Sequence, residues 1–340
     1  MPKHVVSAAS ETVAGVDVSQ RVLDVAARTV RGRARSGQFP NTASGHRALI
    51  RWLTKGGAPA RVVLEATGVY SLELALALHG AARLRVMVLN PRAARTFAEA
   101  LLQRSRTDRT MAEVLCEYAG RMAFAPWTPP AAVVRELSSV ARRLAALTEQ
   151  LVREKNRAHA AAVTRDTPAV VTEDLALHIR HLAERSAALE HYAVELIRRT
   201  PLLARAYTHL LSVRGIGQTS AIQLLGELLL LPADMTARQW VAHSGLDVRH
   251  VRSGTSVYKP PRISKQGNVH LRRILFMPAL VAVQHEPHVR HFYEQLLAAG
   301  KKRLQALVAV MRKLLHAIHG MLRTDTDFDG SKFRKLPAAA

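Results

Sequence analysis

Cysteine, acidic residues and long hydrophobic runs are all scarce in this chain of 340 residues. Cys116 is the one cysteine in the sequence, which excludes a disulfide framework and any zinc site built from cysteines. The most apolar stretch, AIQLLGELLLLPA, is short and is interrupted by Gln223 and Glu227. The N-terminal MPKHVVSAASETV has no apolar core of the kind that a secretion signal needs. We therefore expect a cytoplasmic protein without a membrane span.

Acidic residues are outnumbered by basic ones, 26 Asp and Glu against 49 Lys and Arg, which leaves a formal net charge of +23. Hydrophobic residues make up 48% of the chain, so this is a folded protein and not a basic tail. Lys and Arg gain most free energy by displacing counterions from phosphates, so a charge of this size predicts a nucleic-acid partner. The alternative is a soluble protein with a generally basic surface.

Short strand-like and helix-like segments alternate in the N-terminal third of the sequence. VAGVDV, VLDVAARTV and RSGQF are typical of three strands, and a helix and two strand–helix units follow them. The helix PNTASGHRALIRWLTKGG would have Asn41 or Ser44 as its N-cap. This order predicts an α/β domain over residues 13–130, with a mixed sheet covered by helices, after a flexible N-terminus at 1–12.

Helical patterns dominate the rest of the chain and predict an all-α part. Apolar residues spaced by three and four run from Val134 to Leu151, and a second such run lies between Ile179 and Leu196. We expect an antiparallel coiled-coil hairpin over residues 131–200. A mostly helical unit with a basic non-helical stretch follows at 201–323, and then a flexible tail at 324–340.

Three acidic residues from distant parts of the sequence are candidates for a metal site. Asp17 lies in the first predicted strand, Glu65 at the end of a later strand, and Asp108 on the helix after the last strand. Mg²⁺ takes carboxylate oxygens and bridges phosphate oxygens during in-line attack, so this set suits it. Acids at strand ends are also common for structural reasons. Asp24, within the second strand, is interpreted as structural or exposed.

The segment VRGIGQTSAIQLL places the glycines Gly215 and Gly217 in a turn that opens a helix. It lacks the GK[ST] of a P-loop and the third glycine of a dinucleotide fingerprint. The backbone N–H groups of such a turn can hold a DNA phosphate at the helix N-terminus, as in a helix–hairpin–helix motif. Simple turn chemistry explains the glycines equally well.

The stretch at 248–273 carries seven basic residues and no acid: Arg249, Arg252, Lys259, Arg262, Lys265, Arg272 and Arg273. A serine hydroxyl is a poor nucleophile unless a base or cation stabilises its alkoxide, and clustered guanidinium groups stabilise charge on an attacked phosphate. The stretch is therefore interpreted as a phosphate-binding loop. The residues alone do not favour Ser253 over Ser256 or Ser264.

Several of these segments resemble a known protein family. GVDVSQRVLDV, LEATGVY, VLNPRAARTFAEA and RTDRTMAEVLCEYA are similar, in that order, to the N-terminal domain of the DEDD transposases of the insertion sequence 110 family. SVRGIGQTSA, ARQWVAHSGL, RSGTSVYKPPRISKQGNVHLRR and LVAVMRKLLHAI resemble the C-terminal transposase domain of the same family. The match runs from about residue 13 to 323. Each block is modest alone, and together they are highly specific.

The resemblance implies a RuvC/RNase H-like fold for the N-terminal domain, with Asp17, Glu65 and Asp108 as Mg²⁺ ligands. It implies that Ser253 attacks a DNA phosphodiester and stays covalently attached. Members of the family act as RNA-guided recombinases, in which a structured bridge RNA pairs with donor and target double-stranded DNA. The working assembly is a homo-oligomer, a dimer of dimers, whose composite sites join acids of one protomer with the serine of another.

The chain departs from the family at Met111, the position of the fourth acid. An acid three residues after Asp108 would share its helix face, whereas Met111 continues an apolar stripe with Val114, Leu115 and Tyr118.

Two other functions follow from the same residues. A RuvC-type metal-dependent nuclease needs the acids but no nucleophilic serine. A catalytically weakened homologue would still bind RNA and DNA, and Met111 favours that hypothesis.

Overall fold

The structure, a computed structural model, describes residues 11–66, 68–103, 105, 107–254 and 256–336. The chain divides into two compact units, Met1–Pro129 and Pro130–Ala340, and each is described by itself. Most of the N-terminus that we predict to be flexible lies outside the described residues. No helix among the described residues is long and apolar enough to cross a membrane.

Five strands form one mixed sheet in the N-terminal unit. They are β1 (Thr12–Val18), β2 (Val22–Arg28), β3 (Ala34–Pro40), β4 (Ala60–Glu65) and β5 (Leu84–Leu89). The sheet order is β3-β2-β1-β4-β5, with β1, β2 and β3 antiparallel and with β4 parallel to both β1 and β5. This is the strand order of an RNase H-like sheet, so the predicted fold class of this unit is confirmed.

Four helices cover the two faces of this sheet: α1 (Ala43–Leu53), α2 (Val69–His79), α3 (Pro91–Ala100) and α4 (Asp108–Arg121). Side chains alternate along a strand, and the core is accordingly divided. Ala14 and Val16 of β1 pack in the cluster that contains Leu49 of α1. Val13 packs in the other cluster, with Leu115 of α4. β1, β2, β4 and β5 therefore each contribute residues to the α4 face.

The first helix begins at Ala43, between the two predicted caps. Thr42 is the N-cap, and its hydroxyl accepts from the Gly45 amide at 3.2 Å. The Asn41 side chain instead bonds to the buried His46 ring at 2.8 Å. The prediction of Asn41 or Ser44 as the cap is therefore wrong, because the Asn41 side chain bonds to the His46 ring and donates to the Ser19 carbonyl at 2.9 Å.

The C-terminal unit is mostly helical, as predicted. It contains α5 (Ala132–Val163), α6 (Ala169–Arg198), α7 (Pro201–Ser212), α8 (Gln218–Leu228), α9 (Ala237–Ser244), β6 (Val248–Ser253), β7 (Val257–Ile263), α10 (Val269–His285), α11 (Pro287–Ala298), α12 (Arg303–Thr324) and α13 (Gly330–Phe333). Helices α5 and α6 form the predicted hairpin. Leu137 and Leu144 of α5 share one buried cluster with Leu225 of α8 and Leu314 of α12. Part of the hairpin therefore belongs to the core of this unit.

The segment after Thr324 differs from the flexible tail predicted for it. Residues 330–333 form α13, Phe333 is only 3% exposed, and the Phe328 amide donates to the Ser212 hydroxyl at 2.8 Å. Phe328 and Phe333 bury enough apolar surface to offset the entropy of ordering this short segment. The prediction of a flexible tail is therefore corrected for residues 324–336.

Candidate metal centre and serine hairpin

Three acidic side chains lie on the α4 face of the N-terminal sheet. Val13 of β1 and Val63 of β4 both pack in the apolar cluster that contains Leu115 of α4. Asp17 lies four residues after Val13, and Glu65 lies two residues after Val63, so each acid is on the same face of its strand as that valine. Because Val16 pairs with Leu64, Asp17 and Glu65 are also next to each other across parallel strands. Both carboxylates are half-buried.

Close packing of α4 on β1 brings Asp108 towards the same end of the strand. A Cβ atom at Gly15 would lie 2.2 Å from the Cys116 amide nitrogen and 2.3 Å from the Ala112 carbonyl oxygen. Farther back along the strand, the Val13 carbonyl accepts from the Cys116 thiol at 3.5 Å. The helix therefore runs opposite to β1, and its first residue, Asp108, lies one turn beyond Ala112 in the direction of Asp17.

The electrostatics of Asp17 show that the acids are near one another. Burial, followed by the charges of Asp108, Glu65 and Asp24, raises the pKa of Asp17 to about 6. Burial also raises the pKa of Glu65, and the Arg95 guanidinium opposes that shift. Negative charges this close disfavour one another, and a bound cation would relieve their repulsion.

The donor set suits a hard divalent cation, because it consists of carboxylates alone. No three His, Cys, Asp or Glu side chains within the described residues are gathered so that they could hold a metal ion. The acids therefore lie on one face and interact electrostatically, without forming a closed coordination shell. Mg²⁺ ligation by Asp17, Glu65 and Asp108 stays a prediction.

Met111 occupies the helix position that the resemblance assigns to a fourth acid. Its side chain is half-buried and packs against the apolar cluster under α4, as the sequence pattern predicts. Glu113 does not take its place, because Glu113 is exposed and pairs with Arg109 at 3.4 Å. In the first turn of α4, the carboxylate is therefore that of Asp108.

Asp24 is closer to this site than the sequence interpretation allowed. It pairs directly with Asp17 across β1 and β2, is half-buried, and accepts from the Gln38 amide at 3.2 Å. Directly opposed residues in an antiparallel pair have Cβ atoms about 5 Å apart, and like charges there are destabilising. The signal for this pairing was the tight connection from Val18 to Val22, which fixes the register of the two strands.

Removing the charge of Asp108 is expected to lower the pKa of Asp17 from about 6 towards its ordinary value, because that charge is the second cause of the shift. The pKa would be measured by NMR titration of Asp108→Asn without divalent ions. Glu113→Gln, in the same helix, is the control and should leave the pKa unchanged. An unchanged pKa in Asp108→Asn would show that the two carboxylates do not interact.

The basic stretch forms a β-hairpin that is exposed on both faces. Ser253 is the last residue of β6 and pairs with Val257, the first residue of β7. Gly254 follows with φ at +54°, a conformation that glycine adopts without strain. Almost every residue of the two strands is exposed, Pro260 and Pro261 of β7 included.

The surroundings of the three candidate serines differ. The Ser264 hydroxyl donates to the Asp247 carboxylate at the base of the hairpin, so it has a structural partner. Ser253 and Ser256 are exposed near the tip. Within the described part of the chain, the Ser253 hydroxyl has no hydrogen-bond partner. The structure therefore disfavours Ser264 as a nucleophile.

Backbone hydrogen bonds hold the base of the hairpin to the end of α9. The Ser264 amide donates to the Asp247 carbonyl at 2.8 Å, and the Asn268 amide donates to the His243 carbonyl at 2.7 Å. Asn268 also caps α10, and its amide group donates to the buried Glu227 at 2.6 Å. The hairpin thus projects from a fixed base, which suits a side chain that must be positioned for chemistry.

Several of the seven predicted phosphate-binding cations are available on this hairpin. Lys259 pairs with Val251 and therefore lies on the same strand face as Ser253. Arg252 stacks over the Tyr258 ring at 4.9 Å on the other face. Arg249 and Arg262 are directly paired, a placement that like charges disfavour unless an anion lies nearby.

The other three predicted phosphate-binding residues, Lys265, Arg272 and Arg273, lie outside the two strands of the hairpin. Lys265 is exposed at the hairpin base. Arg272 donates to the Ser244 carbonyl at 2.8 Å, and Arg273 pairs with Glu149 of α5. The last two guanidinium groups therefore stabilise the unit itself, whatever else they contact.

Gly215 and Gly217 form the predicted turn before α8. Gly215 has φ at +110°, and a Cβ atom there would lie 2.6 Å from the Pro278 carbonyl oxygen. Gly217 is the N-cap of α8, and nothing crowds it. Close packing on α10 thus explains Gly215 structurally. Phosphate contact at Gly217 stays a prediction.

Comparison with known proteins identifies both units. Residues 14–164 match the family model of the DEDD transposase domain of IS110 elements. Residues 207–294 match the model described as Transposase IS116/IS110/IS902 family. The fold and these matches define a transposase. The chain belongs to the IS116/IS110/IS902 family, as the sequence resemblance predicts. This family implies DNA binding and a divalent metal.

Two relatives are similar over almost all of their length, and a third over less than half of it. The pilin gene-inverting proteins of Moraxella bovis and Moraxella lacunata are each 28% identical over 327 residues, which cover 94% of this chain and 98% of the relative. An uncharacterized 43.6 kDa protein of the insertion element IS110 from Streptomyces coelicolor is 28% identical over 172 residues. That alignment covers 50% of this chain and 40% of the relative.

Proposed function

We propose that this protein is an RNA-guided DNA recombinase that cuts and rejoins strands through a covalent bond between Ser253 and DNA. The observation that carries the proposal is the placement of Ser253 at the tip of an exposed basic hairpin, where its hydroxyl has no hydrogen-bond partner among the described residues. Asp17, Glu65 and Asp108 would bind Mg²⁺ in the same reaction. The name of the Moraxella relatives supports recombination, because inverting a gene requires both cutting and rejoining.

The covalent step conserves the phosphate ester bonds. The Ser253 oxygen forms a bond to phosphorus while the bond from phosphorus to one deoxyribose oxygen breaks. The serine proton passes to a base, and the departing sugar oxygen gains a proton. A sugar hydroxyl from another strand then reverses the step, so no external energy source is needed to reseal the DNA. Lys259, on the same face as Ser253, is placed to offset charge on the attacked phosphate.

The acids would act in this reaction by holding Mg²⁺, which would orient the phosphate and offset its charge. Bound Mg²⁺ would lower the cost of negative charge on the phosphate and its leaving oxygen. Asp17 and Glu65 are fixed on adjacent strands, and Asp108 on α4, so these residues hold their carboxylates on a rigid frame.

RNA guidance is supported by the charge and its distribution. The net charge of +23 exceeds the need of one short DNA contact, and no cysteine–histidine finger is apparent in the sequence. A protein that follows backbone shape while base pairing supplies the sequence would have these properties. The proposal includes a bridge RNA, donor and target DNA, a dimer of dimers acting in the cytoplasm, and the domain limits predicted from the sequence.

Trapping of the covalent intermediate tests this proposal. Protein, labelled duplex DNA and the RNA transcribed beside its gene would be combined in Mg²⁺ and stopped with detergent. A protein–DNA adduct is expected only when RNA and Mg²⁺ are both present. Trypsin releases SGTSVYKPPR, which carries Ser253 and Ser256, and fragmentation of that peptide should place the nucleotide on Ser253.

Other outcomes of the trapping experiment support the competing functions. Cut DNA without an adduct would indicate a RuvC-type nuclease that uses water as the nucleophile. Tight RNA and DNA binding without cutting would indicate a weakened homologue, the function that Met111 favours. An adduct that forms equally well without RNA would remove RNA guidance and leave the serine chemistry standing.

Met111→Asp is expected to strengthen Mg²⁺ binding roughly tenfold, because an added charge near a cation contributes on the order of 1 kcal/mol or more. The same change should lower the free energy of unfolding by about 1 kcal/mol, since Met111 packs against an apolar cluster. Calorimetric Mg²⁺ titration would measure the first effect. Met111→Ala is the control, which loses the packing without gaining the charge. Equal Mg²⁺ affinity in both variants would contradict the assigned fourth position.

A further inference from the structure

The C-terminal tail packs against α11 and α12 and carries a cluster of cations with it. Phe333 of α13 is the buried anchor, and its ring centroid lies 5.8 Å from that of Phe292 in α11. The His288 ring and the Arg334 carbonyl are joined by a hydrogen bond of 2.6 Å. Lys332 and Arg334 flank the anchor in sequence and are exposed. Folding of the tail therefore fixes the positions of basic side chains.

Lys313 of α12 lies beneath this tail. Its ammonium nitrogen is 4.4 Å from the centroid of the Phe292 ring and 4.9 Å from that of Phe333. The side chain is half-buried, and burial, followed by the charge of Arg334, lowers its pKa. Two aromatic faces stabilise the ammonium group, whereas the neighbouring guanidinium opposes it. An anion beside both cations would remove that repulsion.

Lys313, Phe333 and Arg334 line an open cavity of about 720 Å³. The charged or polar side chains that line it include Lys313, Lys332, Arg334, Lys335, His291 and Ser331. No Asp or Glu belongs to the described residues that line the cavity. Lys332 has a carboxylate nearby, that of Asp329 at 4.0 Å. Lys313, Arg334 and Lys335 make no ion pair with an acid in the described chain.

We propose that this cavity is a phosphate-binding pocket for a nucleic-acid backbone, additional to the serine hairpin. Arg334 supplies the planar fork of donors that suits phosphate, and the lysines supply point charges around it. Phe333 is only 3% exposed, so its ring is unavailable for stacking on a base. The pocket is therefore suited to phosphates and not to base edges, and it would bind without sequence preference.

The salt dependence of binding tests this pocket. The double variant Arg334→Ala, Lys335→Ala removes two exposed cations that line it. Each lost phosphate contact lowers the slope of log affinity against log salt by about 0.9 for duplex DNA and about 0.7 for a single strand. We expect a slope smaller by about 1.8 on duplex DNA or by about 1.4 on single-stranded RNA. Both nucleic acids would be titrated with the full-length protein.

The matched control is Lys301→Ala, Arg303→Ala, which removes two exposed cations at the start of α12 that do not line the cavity. Its slope should be nearly unchanged. An effect on DNA alone or on RNA alone would identify the occupant, and an effect on both would mean that the pocket takes either backbone. Equal slope changes in the two double variants would overturn the proposal, since they would reflect net charge only.

Lysine acetylation provides a second readout that does not need a variant. Bound nucleic acid should protect Lys313 and Lys335 from the reagent while Lys301 stays reactive. Phe333→Ala should remove this protection, because it releases the anchor that holds the tail. Unprotected Lys313 and Lys335 in a saturated complex would also overturn the proposal. Neither readout depends on strand exchange, so the serine chemistry is tested separately.

Discussion

Ser253→Ala is expected to slow strand exchange by about a thousandfold or more, because removal of a covalent nucleophile eliminates the reaction path that uses it. DNA binding should change little, since the phosphate affinity comes mainly from Arg and Lys. The hydroxyl is exposed and has no partner in the described chain, so the free energy of unfolding should change by no more than about 0.5 kcal/mol. Rates would be measured by gel analysis of labelled products, and binding by titration.

Two other serine variants are the controls for this result. Ser256→Ala lies on the same exposed tip and should retain wild-type rates. Ser264→Ala should lower stability, because it removes the side-chain hydrogen bond to Asp247 at the hairpin base. Undiminished exchange by Ser253→Ala, or loss of exchange in Ser256→Ala alone, would assign the chemistry to another group.

Gly15→Ala is expected to destabilise the N-terminal unit by about 3 kcal/mol, near the upper end of the usual cost of overpacking. The new methyl group would meet the backbone of Ala112 and Cys116, which cannot move aside as a flexible side chain can. Helix α4 would have to shift away from β1, and Asp108 would move with it. The change is therefore expected to weaken both the fold and the electrostatic coupling to Asp17.

Hydrogen exchange would locate that effect. Peptides from β1 and α4 should lose protection, while peptides from residues 201–323 keep theirs. Gly120→Ala is the control in the same helix, because its new methyl group meets only the Val13 side chain, at 3.9 Å. A helical Gly→Ala change without a clash is neutral or stabilises by about 0.5–1 kcal/mol. Similar losses of protection in both variants would contradict the close contact at Gly15.

The elements of the N-terminal unit could be predicted from the sequence because their strands alternate or are continuously apolar, and because turn residues separate them. Asp17, Glu65 and Asp108 could be assigned to strands and a helix on the same grounds. That the three acids lie on one face of the sheet follows from the order and the register of the strands, and these depend on tertiary pairing. The role of Asp24 was missed for that reason, since its partner across the sheet is Asp17.

The serine hairpin and the tail were harder to predict. The hairpin has no alternation of apolar and polar residues, because both of its faces are exposed. Its sequence therefore indicated a basic non-helical stretch and not two strands. The tail carries charges and small residues around two rings, the half-buried Phe328 and the buried Phe333. Such a short apolar signal is indistinguishable from a disordered segment until its partner, Phe292, is known.

The two consecutive prolines of β7 affect how the hairpin behaves in solution. A two-stranded sheet has two open edges, and open edges invite strand pairing between chains and eventual aggregation. Pro260 and Pro261 have no amide hydrogen to offer a third strand, and they lie where the register shifts between Arg249 and Val251. The projecting hairpin is thereby protected from strand addition along the edge formed by β7, while its charged side chains remain exposed.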